Sequence, residues 1–474
     1  MKRILSTLLL VAILTVGVCG SLTSCGGGGG TGGGGGAAAD FEMPAGGFDT
    51  NTPITITFYH SMGAGLRDIL DDAIADFKKL YPNITVEHQS FGDYDGVRDQ
   101  IKTEVAVGNQ PNIAYCYPDH VALYNEAGAV QTLDILMNDA TYGFTAEQKA
   151  DFVAGWLAEG AAFGDGKMYS LPLSKSTEVL YYNKTYFEEN DLDVPTTWDE
   201  MEAVCRAIKA KEGDKCIPLG YDSESNWFIT MCEQLGSPYT SATGENFVFD
   251  NAANHAFVKR FRSWYQEKLV TTKTLNSNAY TSNLFTGTAT TGTRSYMCIG
   301  STGGTVYQQP EQVNGVYEFE VGVAQIPQIN PNAPKVISQG PSVCVFKKNN
   351  PQEVLASWLF VKFLTTDINF QASVSMNNGY TPVIKSAIEN EHYQEWLATA
   401  GTSNVQALGV QMALAQAESY YASPAFIGSS VARDQVGLLL SACFASKASD
   451  AEIDAFIKST FANAVSECKY QSGQ

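Results

Sequence analysis

The side chains that could do chemistry are thinly spread. His60, His88, His120, His255 and His392 are scattered, and none stands beside a Cys or Ser in a nucleophile-and-base pattern. H-E-x-x-H, G-x-S-x-G and G-x-x-x-x-G-K-[ST] do not occur, which leaves zinc hydrolysis, acyl transfer and P-loop chemistry without a sequence signal. Asp93-Tyr94-Asp95-Gly96 opens like a calcium loop. Its third ligand position is Val97 and the closing Glu is lacking, so the segment reads as a turn. Glycoside hydrolysis asks only for two carboxylates facing each other across a substrate. Pairs such as Glu188-Glu189 fit a solvated helix face better, so that chemistry stays open without support. No catalytic residue, metal or cofactor is expected.

Eight cysteines follow the first 25 residues: Cys116, Cys205, Cys216, Cys232, Cys298, Cys344, Cys443 and Cys468. None is in C-x-x-C spacing, and no His completes a zinc pattern. Cys205 and Cys216 flank one helix-to-strand passage and are the best candidates for a disulfide. Cys116 and Cys344 sit in apolar strand-like runs and read as buried thiols.

The elements that must position these groups follow from periodicity. Ile54 to Tyr59 alternates as a strand. Leu66, Ile69, Leu70, Ile74, Phe77 and Leu80 then recur at helical spacing, ended by Pro82. Ile84–His88 is a strand, Val97–Val107 a helix and Asn112–Tyr117 a strand. This β-α-β-α-β order predicts a parallel sheet with right-handed crossovers, hence an α/β fold. The alternation returns with strands at 179–182, 217–221, 319–326 and 342–346, and helices at 198–210 and 354–364. From Val405 to Phe461 the pattern is mainly helical.

Composition bounds the function. The chain has 474 residues, 44% of them apolar, and 50 acids against 30 bases, for a net charge of −20. Such a chain can bury a large core, and its charge repels nucleic acid. Lys2 and Arg3, the apolar run Ile4–Val18 and then Leu22-Thr23-Ser24-Cys25 have the build of a secretory signal. The last four residues resemble a bacterial lipobox. Residues 1–24 are therefore expected to be removed and Cys25 to carry lipid, holding the protein at the cell membrane, facing the exterior or periplasm. Gly26–Gly36 contains ten Gly and one Thr. Residues 25–51 read as a flexible tether, because Gly costs most entropy to order and buries nothing.

One resemblance is specific. Pro172-Leu173-Ser174-Lys175-Ser176-Thr177-Glu178-Val179-Leu180-Tyr181-Tyr182-Asn183-Lys184, followed by Pro195-Thr196-Thr197-Trp198-Asp199-Glu200, resembles the signature of family 1 extracellular solute-binding proteins. These are ligand receptors of ATP-binding-cassette importers. Gly92-Asp93-Tyr94-Asp95, Met297-Cys298-Ile299-Gly300-Ser301, Gly340-Pro341-Ser342-Val343, Trp358–Leu364 and Gly379-Tyr380-Thr381-Pro382 support it in order. The resemblance implies a two-lobed periplasmic-binding-protein fold, type II-like, with interleaved lobes and hinge crossings near 171, 324 and 370. Residues 52–170 and 325–369 would form the N-terminal lobe, and 171–324 and 370–474 the C-terminal lobe.

The wording Ser-Thr-x-Val-Leu-Tyr-Tyr-Asn-Lys is most similar to the glycerol-3-phosphate-binding branch. That likeness places ligand contacts at Tyr94, Asp119, Ser176, Ser301, Gly340 and Tyr380, with Trp227 as a stacking aromatic. The branch has a phosphate-facing Arg just before its last helices. Here that stretch reads Pro424-Ala425-Phe426-Ile427-Gly428, and the nearest base is Arg433. The expected ligand is therefore a neutral or weakly charged carbohydrate, with glycerol 3-phosphate or a glycerophosphodiester as the alternative. Sugars present hydroxyl edges to Asp and Ser and ring faces to Trp or Tyr. A monomer that serves the permease subunits of an importer is expected. A secreted carbohydrate-active enzyme and a receptor for a sensor kinase remain the alternatives from other classes.

Overall fold

A computed structural model describes residues 41–474. The expected signal segment, the Cys25 lipid site and the Gly run lie outside the described residues. Strand β1 (Ile54–His60) pairs in parallel with β2 (Ile84–Ser90) and β3 (Ile113–Cys116). The returning helices are Ala64–Leu80 and Tyr94–Val105. Leu70, Ala73 and Phe77 bury one stripe of the first, as the 3.6-residue period requires, whereas Leu80 is exposed. After β4 (Leu171–Pro172) the chain enters a second sheet with β5 (Glu178–Asn183), β6 (Leu219–Tyr221), β7 (Val270–Thr272) and β8 (Met297–Ser301). A small hairpin, β9 (Gln312–Val313) and β10 (Val316–Tyr317), precedes β11 (Val321–Ala324), the edge strand antiparallel to β5. Next come β12 (Val336–Ile337), β13 (Ser342–Val345) and finally β14 (Tyr420–Tyr421), which pairs with β12. The two main sheets have the orders β2-β1-β3-β13-β4 and β11-β5-β8-β6-β7. Strand β13 thus returns to the first sheet after the second is complete.

Each sheet carries its own core. Phe58, Phe77, Trp358 and Phe360 pack in the first, and Trp198, Phe228, Phe261 and Phe444 in the second. The helix Trp198–Glu212 is opened by a capping box: Thr197 Oγ1 accepts from Glu200 N, and the Glu200 carboxylate accepts from Thr197 N. That fixed start drives Trp198 into the second core. The chain crosses between lobes in short segments that bond to one another. Lys175 and Thr381 exchange backbone hydrogen bonds, as do Ser176 and Gln339. Gly340 belongs to this bridge. Its φ is +96°, and a Cβ there would stand 2.5 Å from the Ser174 carbonyl oxygen, so only glycine lets the crossings meet.

The cores correct three expectations. Phe41 and Phe48 are buried in the first core, and Phe48 N donates to the Tyr142 hydroxyl at 2.8 Å. The stretch 41–51, read as the end of the tether, therefore packs on the body through its two aromatics. The lobe boundary expected at 370 falls inside the helix Ile368–Asn378, whose Phe370 and Val374 pack in the first core, as do Val383 and Ile384. The disulfide for which Cys205 and Cys216 were the best candidates is not formed; all eight cysteines of the described residues are free and buried. Burial pushes both thiols up, Cys216 to about 12, which starves oxidation of thiolate.

Candidate functional site

The strand ends nearest the crossings carry the polar side chains. Tyr117 follows β3, Asp222 follows β6, and Ser301 ends β8. They face a cavity of about 750 Å³ lined from both lobes. On the first-lobe side, Asp93 caps the helix Tyr94–Val105 by accepting from Gly96 N at 2.8 Å, which makes the supposed turn a helix start. This holds Tyr94 against Tyr117, with ring centroids 4.5 Å apart and planes at 25°. The Tyr94 and Tyr380 hydroxyls are 3.3 Å apart, so three tyrosines form one wall. On the other side stand Ser301, Asp222, Asn226 and Tyr280, and Lys273 lies over the Tyr280 ring at 4.2 Å.

Of the seven residues expected at the ligand, Tyr94, Ser176, Ser301 and Tyr380 line this cavity. Asp119 and Gly340 line a narrower recess of about 60 Å³. The two spaces share Tyr117, Gln339 and Arg433. Trp227 is in neither. It is fully buried in the second core, stacked on Tyr221 at 4.7 Å and 11° and packed against Phe261 at 4.5 Å. Its helix, Glu224–Leu235, is buried on nearly every face, so its aromatic ring has no route to the cleft.

Arg433 lies in the first turns of the helix Ser429–Ala445, and the structure brings it to the cavity wall despite its offset in sequence. Its guanidinium donates to Asn226 Oδ1. Asn226 Nδ2 donates to Glu178 Oε1 at 2.9 Å, and the Tyr221 hydroxyl donates to Glu178 Oε2 at 2.5 Å. Burial pushes the Glu178 carboxyl up to about 7, against the pull of these hydrogen bonds and the Arg433 charge. Burial also works against the Arg433 charge, but Asp119 foremost and its other neighbours outweigh it and raise its pKa. Asp222 is raised by burial as well, although Thr281 donates to it twice. In the recess, Lys175 is buried and ion-paired with Glu159, and Ser338 Oγ donates to Glu159 Oε1 at 2.5 Å. Across the cleft, Arg98 of the first lobe meets Asp434 of the second at 3.3 Å.

Sequence reasoning missed Tyr117, Glu178, Asp222, Asn226, Lys273 and Tyr280. Tyr117 and Asp222 were findable, because ligands of open α/β sheets gather at the carboxyl ends of strands. Glu178 lay unread within the Ser176-Thr177-Glu178 motif itself. Among the described residues, no cluster of three or more His, Cys, Asp or Glu could hold a metal ion, and no helix is long and apolar enough to cross a membrane.

The profile of the family described as "Bacterial extracellular solute-binding protein" matches residues 72–401. The chain belongs to this family. Among characterised relatives of this solute-binding protein, a multiple sugar-binding protein of Streptococcus mutans is 30% identical over 206 residues, 42% of each chain. The sn-glycerol-3-phosphate-binding periplasmic protein UgpB of Salmonella typhimurium is 29% identical over 180 residues, 37% of this chain and 40% of its own. The alignments thus span about two fifths of those relatives' length. Among solved structures, UgpB from Mycobacterium tuberculosis in complex with glycerophosphocholine superposes with a TM-score of 0.71 at 18% identity, covering 88% of this chain and 98% of its own. Maltose-bound MalE3 of T. maritima gives 0.67 at 18% identity, covering 88% and 99%. The two-lobed fold of the solute-binding protein is that of these structures.

Proposed function

We propose that this solute-binding protein captures an uncharged carbohydrate between its lobes and delivers it to the permease of an ATP-binding-cassette importer. The observation that carries the reading is the composition of the 750 Å³ cavity. Tyr94, Tyr117, Tyr280 and Tyr380 offer flat apolar faces beside Ser176, Ser301, Asp222 and Asn226, which is what a sugar ring with its hydroxyl edge requires. Ligand contacts to both lobes favour the closed state over the open one, and the permease reads that difference. Lipid on Cys25 would keep the receptor near its permease at high effective concentration.

A second reading takes glycerol 3-phosphate or a glycerophosphodiester, and Arg433 at the cavity wall favours it. Two facts weigh against it. Arg433 is already engaged by Asn226 and faced by Asp119. The cavity is also lined by the acidic side chains of Asp93, Asp95 and Asp222 against the cations Lys273 and Arg433. A thermal-shift screen of the purified protein against neutral sugars, polyols and glycerophosphoesters tests the reading. A specific ligand at 100 times its dissociation constant stabilises by about 2.7 kcal/mol. A shift with glycerophosphoesters and none with sugars would overturn it.

A further inference from the structure

We propose that Asp222 and Gln308 form a hydroxyl-recognising subsite on the second-lobe floor of the cleft, a site that takes vicinal hydroxyls of an uncharged sugar and rejects phosphate. The inference rests on the carbohydrate reading above and names two residues that carry its specificity. Asp222 follows β6 directly. Its Oδ1 accepts from Thr281 N at 2.6 Å and from Thr281 Oγ1 at 2.7 Å, so the carboxylate is fixed in direction. Its Oδ2 has a weak partner in the Cys298 thiol at 3.8 Å. Gln308 ends a 3-10 turn, Thr302–Gln308, and is 2% exposed. Its Nε2 is given to Cys298 Sγ at 3.4 Å, and its Oε1 has no hydrogen-bond partner.

The two side chains converge over Gly300 of β8. A Cβ at 300 would stand 3.0 Å from Asp222 Oδ2 and 3.6 Å from Gln308 Nε2, so the glycine keeps open the space they share. Both residues line the 750 Å³ cavity. What they present there is Asp222 Oδ2, an acceptor met weakly by the Cys298 thiol, beside the donor Gln308 Nε2. A buried acceptor left unmet costs free energy, and a carboxylate prefers a strong donor. Sugar hydroxyls both donate and accept, so two neighbouring ones match a carboxylate oxygen beside an amide N–H. A phosphate brings only negative charge to a carboxylate and is repelled. The site thus discriminates by what it cannot pair as much as by what it can.

The test is calorimetric titration of the full-length protein and two variants with maltotriose, glucose, glucosamine and glycerol 3-phosphate. Asp222→Asn keeps the shape but exchanges an acceptor for a donor. Gln308→Leu removes the amide. Each should weaken the best-binding neutral sugar at least tenfold while the unfolding midpoint stays at the wild-type value. A deoxy analogue lacking the contacted hydroxyl should bind wild type and variants equally. If Asp222→Asn fails to fold, Gln308→Leu and the deoxy analogue carry the same test. A neutral sugar that binds wild type and both variants within twofold overturns the subsite and leaves the carbohydrate reading standing. Binding of glycerol 3-phosphate alone, or of no probe, overturns both. Tighter binding of glucosamine than of glucose, lost in Asp222→Asn, would overturn the preference for an uncharged ligand.

Discussion

Glu178→Gln gives the protein's stability a pH signature that can be worked out in advance. Burial pushes the Glu178 carboxyl from 4.5 up to about 7, against the pull of the hydrogen bonds from Tyr221 and Asn226. The folded state therefore holds this proton where the unfolded chain has released it. Between pH 4.5 and about 7 the folded state binds more protons, so stability falls as pH rises through that window and is flat above it. A separation of about 2.5 pH units at 1.36 kcal/mol each puts the full penalty on the order of 3 kcal/mol. The Gln variant has no such titration. Urea unfolding of both proteins at pH 4 and pH 8 should show the variant gaining about 3 kcal/mol on wild type between the two. Other carboxylates titrate in both proteins and cancel in the difference. Parallel curves, with a change under about 0.5 kcal/mol, would refute the assignment of a buried, protonatable Glu178.

Three further outcomes follow from particular contacts. Trp227→Ala empties a stacked core site and should cost about 3–5 kcal/mol of stability, with sugar affinity of the folded protein unchanged; lost affinity at an unchanged unfolding midpoint would return Trp227 to the cleft. Lys175→Met leaves Glu159 buried without its cation, which should destabilise by about 3–5 kcal/mol in urea, and adding Glu159→Gln should recover part of that loss. Thiol titration in guanidine without reductant should find all eight cysteines from Cys116 to Cys468 reactive; a count of six would restore a disulfide.

The first lobe was legible because its signals are local. Alternation marks β1, helical spacing marks Ala64–Leu80, and the order of the two forces parallel pairing of β1 with β2 and β3, whereas the later β13 and β4 make the sheet mixed by antiparallel pairing. The later boundaries were not legible, because β12, β14 and β4 are two-residue strands defined only by partners far along the chain. Tyr94, Ser176, Ser301 and Tyr380 were reached through family likeness, and the fold brings them together. Trp227 misled because a Trp on an all-buried helix looks in sequence like a Trp on a cleft wall. Arg433 seemed displaced because distance was counted along the chain, whereas the helix after Gly428 turns it into the cavity. Gln308 carried no signal: its meaning lies in an amide nitrogen brought over Gly300 beside Asp222, a relation only tertiary structure creates.

The central claim is that a neutral sugar binds between the lobes at the tyrosine wall. Calorimetric competition between a neutral sugar and glycerol 3-phosphate, on wild type and on Tyr380→Ala, tests it most directly. The account predicts saturable sugar binding that glycerol 3-phosphate does not displace, weakened at least tenfold by Tyr380→Ala with folding intact. Sugar binding untouched by that substitution, or displaced by glycerol 3-phosphate, would contradict it.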